Sequence, residues 1–211
     1  KSVFTAILLP IALRGNELAL EERKLMKIAF STNNIYQIEH FSKKYKVKNF
    51  KKTNFSSLNR LQRKVIEMEL LKKINTIPIS IILAQSIIES GWGASRFAQE
   101  GNALFGQWTW RNDDGIKPKG NLDASFSVKN FKSLLDSVNS YILNLNTHQA
   151  YKELRNFRLS QHNMGKNITG NDIANFLTRY AEIGHIYVVK VKEMIKKNKL
   201  SKFENTKLIV Y

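Results

Sequence analysis

The sequence predicts a mainly helical protein with one small β insertion. Two observations carry that expectation: several segments place apolar residues at spacings of three and four, and one stretch, 105–131, switches to a spacing of two. A third is the absence of cysteine, which removes disulfide frameworks, thiolate zinc sites and thiol catalysis from consideration. At 211 residues the chain is long enough to bury a sizeable core without such staples.

The elements follow in order. Val3–Leu13 is apolar but carries Pro10 and is followed by Arg14; no small-residue cleavage site is evident, so it reads as a buried helical segment. No apolar run reaches the roughly 18 to 20 residues of a membrane span, so no transmembrane segment is expected. Residues 42–57 are basic and aromatic without clear period and read as a loop or short helices. Leu58, Leu61, Val65 and Met68 form one apolar face of a helix, the expected core side. Asn75 or Thr76 is placed to cap the next helix, with Pro78 in its first turn. That helix, Ile79 to Glu89, is apolar on most sides, as a central buried helix should be. Gly91 and Gly93 end it. Phe105, Gln107 and Thr109 then alternate, as do Phe126, Val128 and Asn130, and Asn112-Asp-Asp-Gly115 between them is a turn signal, so a small hairpin is expected. Ser133 and Asp136 resemble a capping box ahead of a stripe of Leu134, Leu135, Val138, Tyr141, Ile142 and Leu145. Ile173, Phe176, Leu177 and Tyr180 predict a further helix, and Tyr187, Val191 and Ile195 the last. The expected organisation is an N-terminal basic, helical extension over 1–74 and a main domain over 75–211.

Charge narrows the partners. The 34 Lys and Arg against 17 Asp and Glu give +17, which implies a polyanionic partner, whether nucleic acid, membrane surface or wall polymer. Residues 41–75 alone hold eleven basic side chains against Glu67 and Glu69. No helix-turn-helix or other reader motif is present, so nucleic acid is not expected. His40, His148, His162 and His185 are far apart and lack metal-ligand spacing, and no glycine-rich phosphate loop occurs; neither metal nor nucleotide cofactor is expected.

Glu89 is the residue whose setting suggests chemistry. It closes a helix whose preceding turns hold Ile81, Ile82, Leu83, Ala84, Ile87 and Ile88, and apolar walls disfavour its charged form. A carboxyl kept protonated near neutral pH is what a general acid needs. From position alone, a side chain that merely bonds N–H groups of the next turn is the better fit for Glu89. Trp92, Phe105, Trp108 and Trp110 follow within about twenty residues, and aromatic faces hold the apolar faces of sugar rings or serve as core.

The run Ile77-Pro-Ile-Ser-Ile-Ile-Leu-Ala-Gln-Ser-Ile-Ile-Glu-Ser-Gly-Trp-Gly-Ala-Ser-Arg-Phe-Ala98, with Gly101-Asn-Ala-Leu-Phe-Gly106, resembles the catalytic signature of the glucosaminidases of glycoside hydrolase family 73, and within them the bacterial Bax-type group. The blocks Tyr141 to Arg155 and Arg179-Tyr-Ala-Glu-Ile-Gly-His-Ile-Tyr187 resemble it too, so the likeness covers roughly residues 75 to 200. The resemblance implies a lysozyme-like α+β fold with extra N-terminal helices and an endo-β-N-acetylglucosaminidase that cuts peptidoglycan glycan strands. It implies Glu89 as the proton donor, Tyr180 as a substrate-orienting catalytic hydroxyl and Asp123 as the second carboxylate, with Glu100, Asp113 and Asp114 as the other acids of that stretch. Gln85, Trp92, Phe105, Gln107, Trp108 and Tyr187 are the implied substrate-binding residues, with Ser90 and Gln85 helping to orient Glu89. Glu182-Ile183-Gly184 stands where the family has Thr-Asp-Pro. A monomer in the periplasm or cell envelope is the matching expectation, the place following from the substrate and not from an export signal. A lytic transglycosylase giving 1,6-anhydro-muramic ends, which also manages with one Glu, and a non-catalytic basic cell-wall- or nucleic-acid-binding protein are the alternatives.

Overall fold

Helix α4, Ile79–Ser90, shows how the sequence builds this molecule. Ile81, Ile82, Leu83, Ala84, Gln85 and Ser86 are all fully buried, so its stability comes from being enclosed on every side rather than from an amphipathic stripe. Pro78 is its N-cap and supplies no side-chain cap, while Asn75, expected to do so, accepts the Thr76 N–H instead. At the other end Gly91 takes the left-handed conformation, φ 57°, that terminates a helix most cheaply with glycine.

The computed structural model describes residues 1–47, 55–110, 115–117 and 125–209. It is mainly helical with a small three-stranded sheet, as expected of a lysozyme-like α+β protein with added N-terminal helices. The helices are α1 (Ser2–Ser31), α2 (Ile35–Lys44), α3 (Arg60–Lys73), α4, α5 (Arg96–Gly101), α6 (Leu134–Thr147), α7 (Lys152–Asn163), α8 (Gly170–Ala174) and α9 (His185–Lys197). Strands β1 (Trp108–Thr109), β2 (Gly115–Ile116) and β3 (Ser127–Lys129) lie between α5 and α6.

Two compact units emerge, each from separate stretches: Lys1–Gly15, Ile77–Ile142 and Ile168–Tyr211 form one, Asn16–Thr76 and Leu143–Asn167 the other. In the first, α4 is surrounded by α8, α9 and the 3-10 turn Leu200–Phe203. The alternating residues pair as expected, Trp108 opposite Val128 and Thr109 opposite Ser127, but β3 is the centre of the sheet and β2 pairs on its other edge, so the arrangement is β1-β3-β2 and not one hairpin. The expected turn residues Asn112, Asp113 and Asp114 lie outside the described residues. The Ser133 hydroxyl accepts the Asp136 N–H at 3.1 Å, as a cap should, and Val138, Tyr141, Ile142 and Leu145 are buried. The helix expected through Ile173 and Tyr180 stops at Ala174 and continues as turns; the helix expected around Tyr187, Val191 and Ile195 is α9.

Pro10 does not break α1. Pro10 and Ala6, whose carbonyl loses its partner, are both exposed, so that acceptor stays solvated. Leu8, Ala12 and Leu13 are buried while Val3 and Ile7 are exposed, so only one side of the segment expected to be buried is so. Uninterrupted by Arg14 and Glu17, α1 is long and apolar enough by length and composition to cross a membrane, which a search for unbroken apolar runs misses.

In the second unit a core of Met26, Ala29, Ile38, Phe41, Phe55, Leu70 and Ile74 corrects the expected face of α3. Leu61, Val65 and Met68 are 74%, 61% and 58% exposed; Leu70 and Lys73 face inward. The Lys73 ammonium donates to the carbonyls of Tyr45 and Lys46, and Arg158 donates to those of Lys72, Lys73 and Thr76. Lys73 thus serves carbonyls just past the end of α2 and Arg158 those at the end of α3, where carbonyls lack helical partners.

Candidate active site

Glu89 stands in the last turn of α4, and the turn behind it is tied down. The Ser90 hydroxyl donates to the Ser86 carbonyl at 2.6 Å and accepts the Gly93 N–H at 2.8 Å. Glu89 itself is half-buried, and its Oε1 accepts the Tyr187 hydroxyl of α9 at 2.6 Å. Burial pushes the Glu89 carboxyl above its ordinary value; the Tyr187 hydrogen bond and the Lys190 charge pull the other way and are the smaller effects. The Tyr187 phenol is raised by its own burial and then by the neighbouring carboxylate, so it stays a donor.

Behind Tyr187 runs a buried chain of polar groups. Gln85 Nε2 donates to the Tyr187 oxygen at 2.9 Å, and Tyr141 of α6 donates to Gln85 Oε1 at 2.5 Å. Aromatic rings close around it: Phe105 stacks on Tyr141 with centroids 4.1 Å apart, and Tyr180 stacks on Tyr187 at 5.3 Å. The Tyr180 hydroxyl donates to the Phe105 carbonyl at 3.0 Å, tying the loop after α5 to the turn before α9. Gly106 in that loop, φ 57°, lies against the carboxyl: a Cβ there would stand 3.6 Å from Glu89 Oε2.

The structure therefore brings Glu89, Gln85, Tyr187, Tyr180 and Phe105 together, but in roles that differ from several expected. Gln85, Phe105 and Tyr187 are 0%, 2% and 2% exposed, so they cannot line a groove; they support the carboxyl from behind. Tyr180 is half-buried and its hydroxyl proton is committed to a backbone carbonyl. Trp92, at φ 62°, turns to Phe4, 6.0 Å away centroid to centroid, and has Lys1 Nζ over its ring; it lines a pocket of about 430 Å³ with Leu9, Leu200 and Phe203, and Glu89 is not among that pocket's walls. Gln107 follows Gly106 and is half-buried, its Nε2 3.4 Å from the Ser140 carbonyl and its Oε1 without a hydrogen-bond partner among the described residues. Trp108 is 55% exposed on β1, its ring stacked on Phe126 at 4.5 Å, which leaves one aromatic face open.

Asp123, with Asp113 and Asp114, lies outside the described residues. Glu100 is exposed and paired with Arg96 at 3.1 Å, and Glu182 is exposed. No cluster of three or more His, Asp or Glu able to hold a metal occurs among the described residues. Tyr141, Gly106 and Lys190 are the neighbours that sequence reasoning missed as site residues: Tyr141 reads as one more core position of the α6 stripe, and nothing in the spacing ties Lys190 to Glu89.

Residues 66–200 match the glucosaminidase family, described as mannosyl-glycoprotein endo-beta-N-acetylglucosaminidase. The chain belongs to that family. Among curated proteins, the chain is 31% identical to Protein bax of Escherichia coli (strain K12) over 155 residues, which is 72% of this chain and 50% of the relative. It thus spans about half the length of the curated relative that it matches. No solved structure matches it. Glu89, Tyr141, Tyr180 and Tyr187 all fall inside the matched stretch, so the buried chain belongs to the glucosaminidase domain, a glycosidase domain.

Proposed function

We propose that this glucosaminidase is a peptidoglycan hydrolase, an endo-β-N-acetylglucosaminidase that cuts after N-acetylglucosamine with Glu89 as general acid. The observation that supports this most is the setting of Glu89: a carboxyl raised by burial at the end of a rigid helix, one oxygen anchored by Tyr187 and the other beside the bare backbone of Gly106. Protonated, Glu89 gives its proton to the glycosidic oxygen as the C1–O bond breaks, and the positive charge that develops on the sugar is taken up by a nucleophile. Asp123 is the protein candidate for that second role, and the substrate's own 2-acetamido oxygen is the other. Trp108, exposed and stacked on one side only, offers its open face as a platform for a sugar ring. Peptidoglycan lies outside the cytoplasm, so the place of action is the periplasm or cell envelope, and its stem carboxylates suit a chain of net charge +17.

The test is digestion of purified peptidoglycan by wild type and Glu89→Gln, with soluble fragments read by mass spectrometry. The reading requires fragments that carry the mass of one added water and end in reducing N-acetylglucosamine, with turnover reduced at least about a hundredfold in Glu89→Gln. Fragments ending in 1,6-anhydromuramic acid identify a lytic transglycosylase. No fragments from wild type, with retention on the polymer, identify a binding protein.

A further inference from the structure

We propose that Tyr141 and Gln85 are positioning residues for the reaction: through Tyr187 they fix which oxygen of Glu89 holds the transferable proton, and that oxygen is Oε2. The inference rests on Glu89 being the general acid. It follows from counting donors along the buried chain. Glu89 Oε1 receives the one hydroxyl proton of Tyr187, at 2.6 Å. The Tyr187 oxygen must then accept from its other neighbour, and it does, from Gln85 Nε2 at 2.9 Å. An amide that turns its NH2 toward Tyr187 turns its carbonyl the other way, and there the Tyr141 hydroxyl donates to it. All three bonds therefore point at Glu89.

The direction matters because a glutamine side chain can turn over. With its carbonyl toward Tyr187, Gln85 would take the Tyr187 proton and leave Glu89 Oε1 unheld. The Tyr141 hydroxyl disfavours that state, since the carbonyl it pairs with would be lost. Gln85 and Tyr141 are 0% exposed, so neither touches a glycan; their influence reaches the reaction only through Tyr187. With Oε1 occupied as an acceptor, a protonated Glu89 carries its proton on Oε2. That oxygen faces Gly106, where the missing side chain leaves room: a Cβ would come within 3.6 Å of it.

The charged and titratable groups around Glu89 among the described residues are Tyr187 and Lys190 of α9, with Tyr141 of α6 and Tyr180 of the preceding turn behind them. Lys190 and Tyr187 both favour the carboxylate, against burial. Cutting the chain anywhere upstream thus weakens the hold on the carboxylate, keeps Glu89 protonated to higher pH, and moves the alkaline limb of the kcat profile upward.

The experiment measures kcat and KM against pH for wild type, Tyr141→Phe, Tyr187→Phe and the double variant, with thermal melts of each. Phenylalanine retains the stacking on Phe105 and on Tyr180, which keeps the fold out of the comparison. Tyr141→Phe is expected to lower kcat about tenfold with KM within about twofold, and to move the alkaline limb up by about half a unit to one unit. Tyr187→Phe is expected to move it in the same direction, and the double variant no further than Tyr187→Phe alone. Gln85→Met, which interrupts the chain one bond nearer Glu89, is expected to reproduce the shift and stands in for Tyr141→Phe if that variant melts out. An alkaline limb that stays at the wild-type pH in both Tyr141→Phe and Gln85→Met, or shifts that add in the double variant, overturns the relay. Glu89→Gln separates the two failures: if it is inactive while the relay variants show no shift, only the relay falls, and if it retains wild-type turnover, the general-acid reading falls first.

Discussion

A carboxyl whose environment favours its neutral form destabilises the native state once it must ionise, and Glu89 is such a group. Its value is raised by burial, so below the unfolded-state value both states are protonated and no penalty exists; as pH rises through the raised native value, the folded protein binds the proton more tightly than the unfolded chain and stability falls. Glu89→Gln removes that penalty while keeping an oxygen to accept from Tyr187. We expect it to melt above wild type at pH 8, by roughly 2–4 °C for each kcal/mol recovered, and the gap to close toward pH 4. Equal melting temperatures at both pH values would contradict the raised carboxyl, independently of any assay of activity. The residue itself is legible in the sequence because it is the one acid of a mostly apolar helix, and because the motif around it has a family likeness. Its supports are not legible in the same way. Gln85 and Tyr187 can be named from motif position but not their burial, and an aromatic such as Phe105 or Trp92 gives no sign of which side of the backbone it faces. Tyr141 is hidden most completely, since a tyrosine on an apolar stripe looks like core until its hydroxyl is seen to reach Gln85.

The helix that carries Glu89 is held at its N-terminal end by contact, not by a cap. Gly170 opens α8 against α4, and a Cβ on it would fall 2.0 Å from the Ser80 hydroxyl and 2.9 Å from the Ile81 backbone nitrogen. Glu204 ties the same spot together by accepting both the Ser80 hydroxyl and the Gly170 N–H. A side chain at 170 meets backbone that cannot turn aside, so Gly170→Ala must part α8 from α4. Overpacking of this kind costs about 1–3 kcal/mol, and the melting temperature is expected to drop by roughly 3–10 °C. A melting temperature unchanged in Gly170→Ala would show that the two helices part without cost. At this scale the sequence is informative about where helices run and poorer about which way they face. The α6 cap and stripe are read directly from Ser133, Asp136 and the spacing of Val138, Tyr141, Ile142 and Leu145. On α3 the spacing of Leu61, Val65 and Met68 marks a helix but the wrong side, because the inward face holds Lys73, a residue type that reads as solvated unless its carbonyl partners are known. The sheet order is likewise beyond local pattern: alternation pairs β1 with β3, while β2 on the far edge depends on a strand of two residues.

For the whole molecule the net charge is a sum over side chains and needs no structure at all, which is why +17 is the most secure property legible in the sequence. Its consequence is physical and graded. Attraction between a basic protein and a carboxylate-bearing polymer acts over about 10 Å at 0.1 M salt and about 3 Å at 1 M, so long-range charge contributes to retention in dilute salt and is screened in concentrated salt, whereas contacts of an aromatic face with a sugar ring are not. Retention of the Glu89→Gln variant on insoluble peptidoglycan, measured by co-sedimentation, is therefore expected to fall at least about tenfold between 0.05 M and 0.5 M NaCl. The inactive variant is the right probe because the polymer stays intact during the measurement. Amidating the stem carboxylates should reduce retention in dilute salt to the level seen in concentrated salt, since it removes the anion and leaves the glycan unchanged. Retention that is indifferent to both treatments would assign binding to contacts such as the open aromatic face of Trp108 and leave the lysine excess without a part in reaching the substrate.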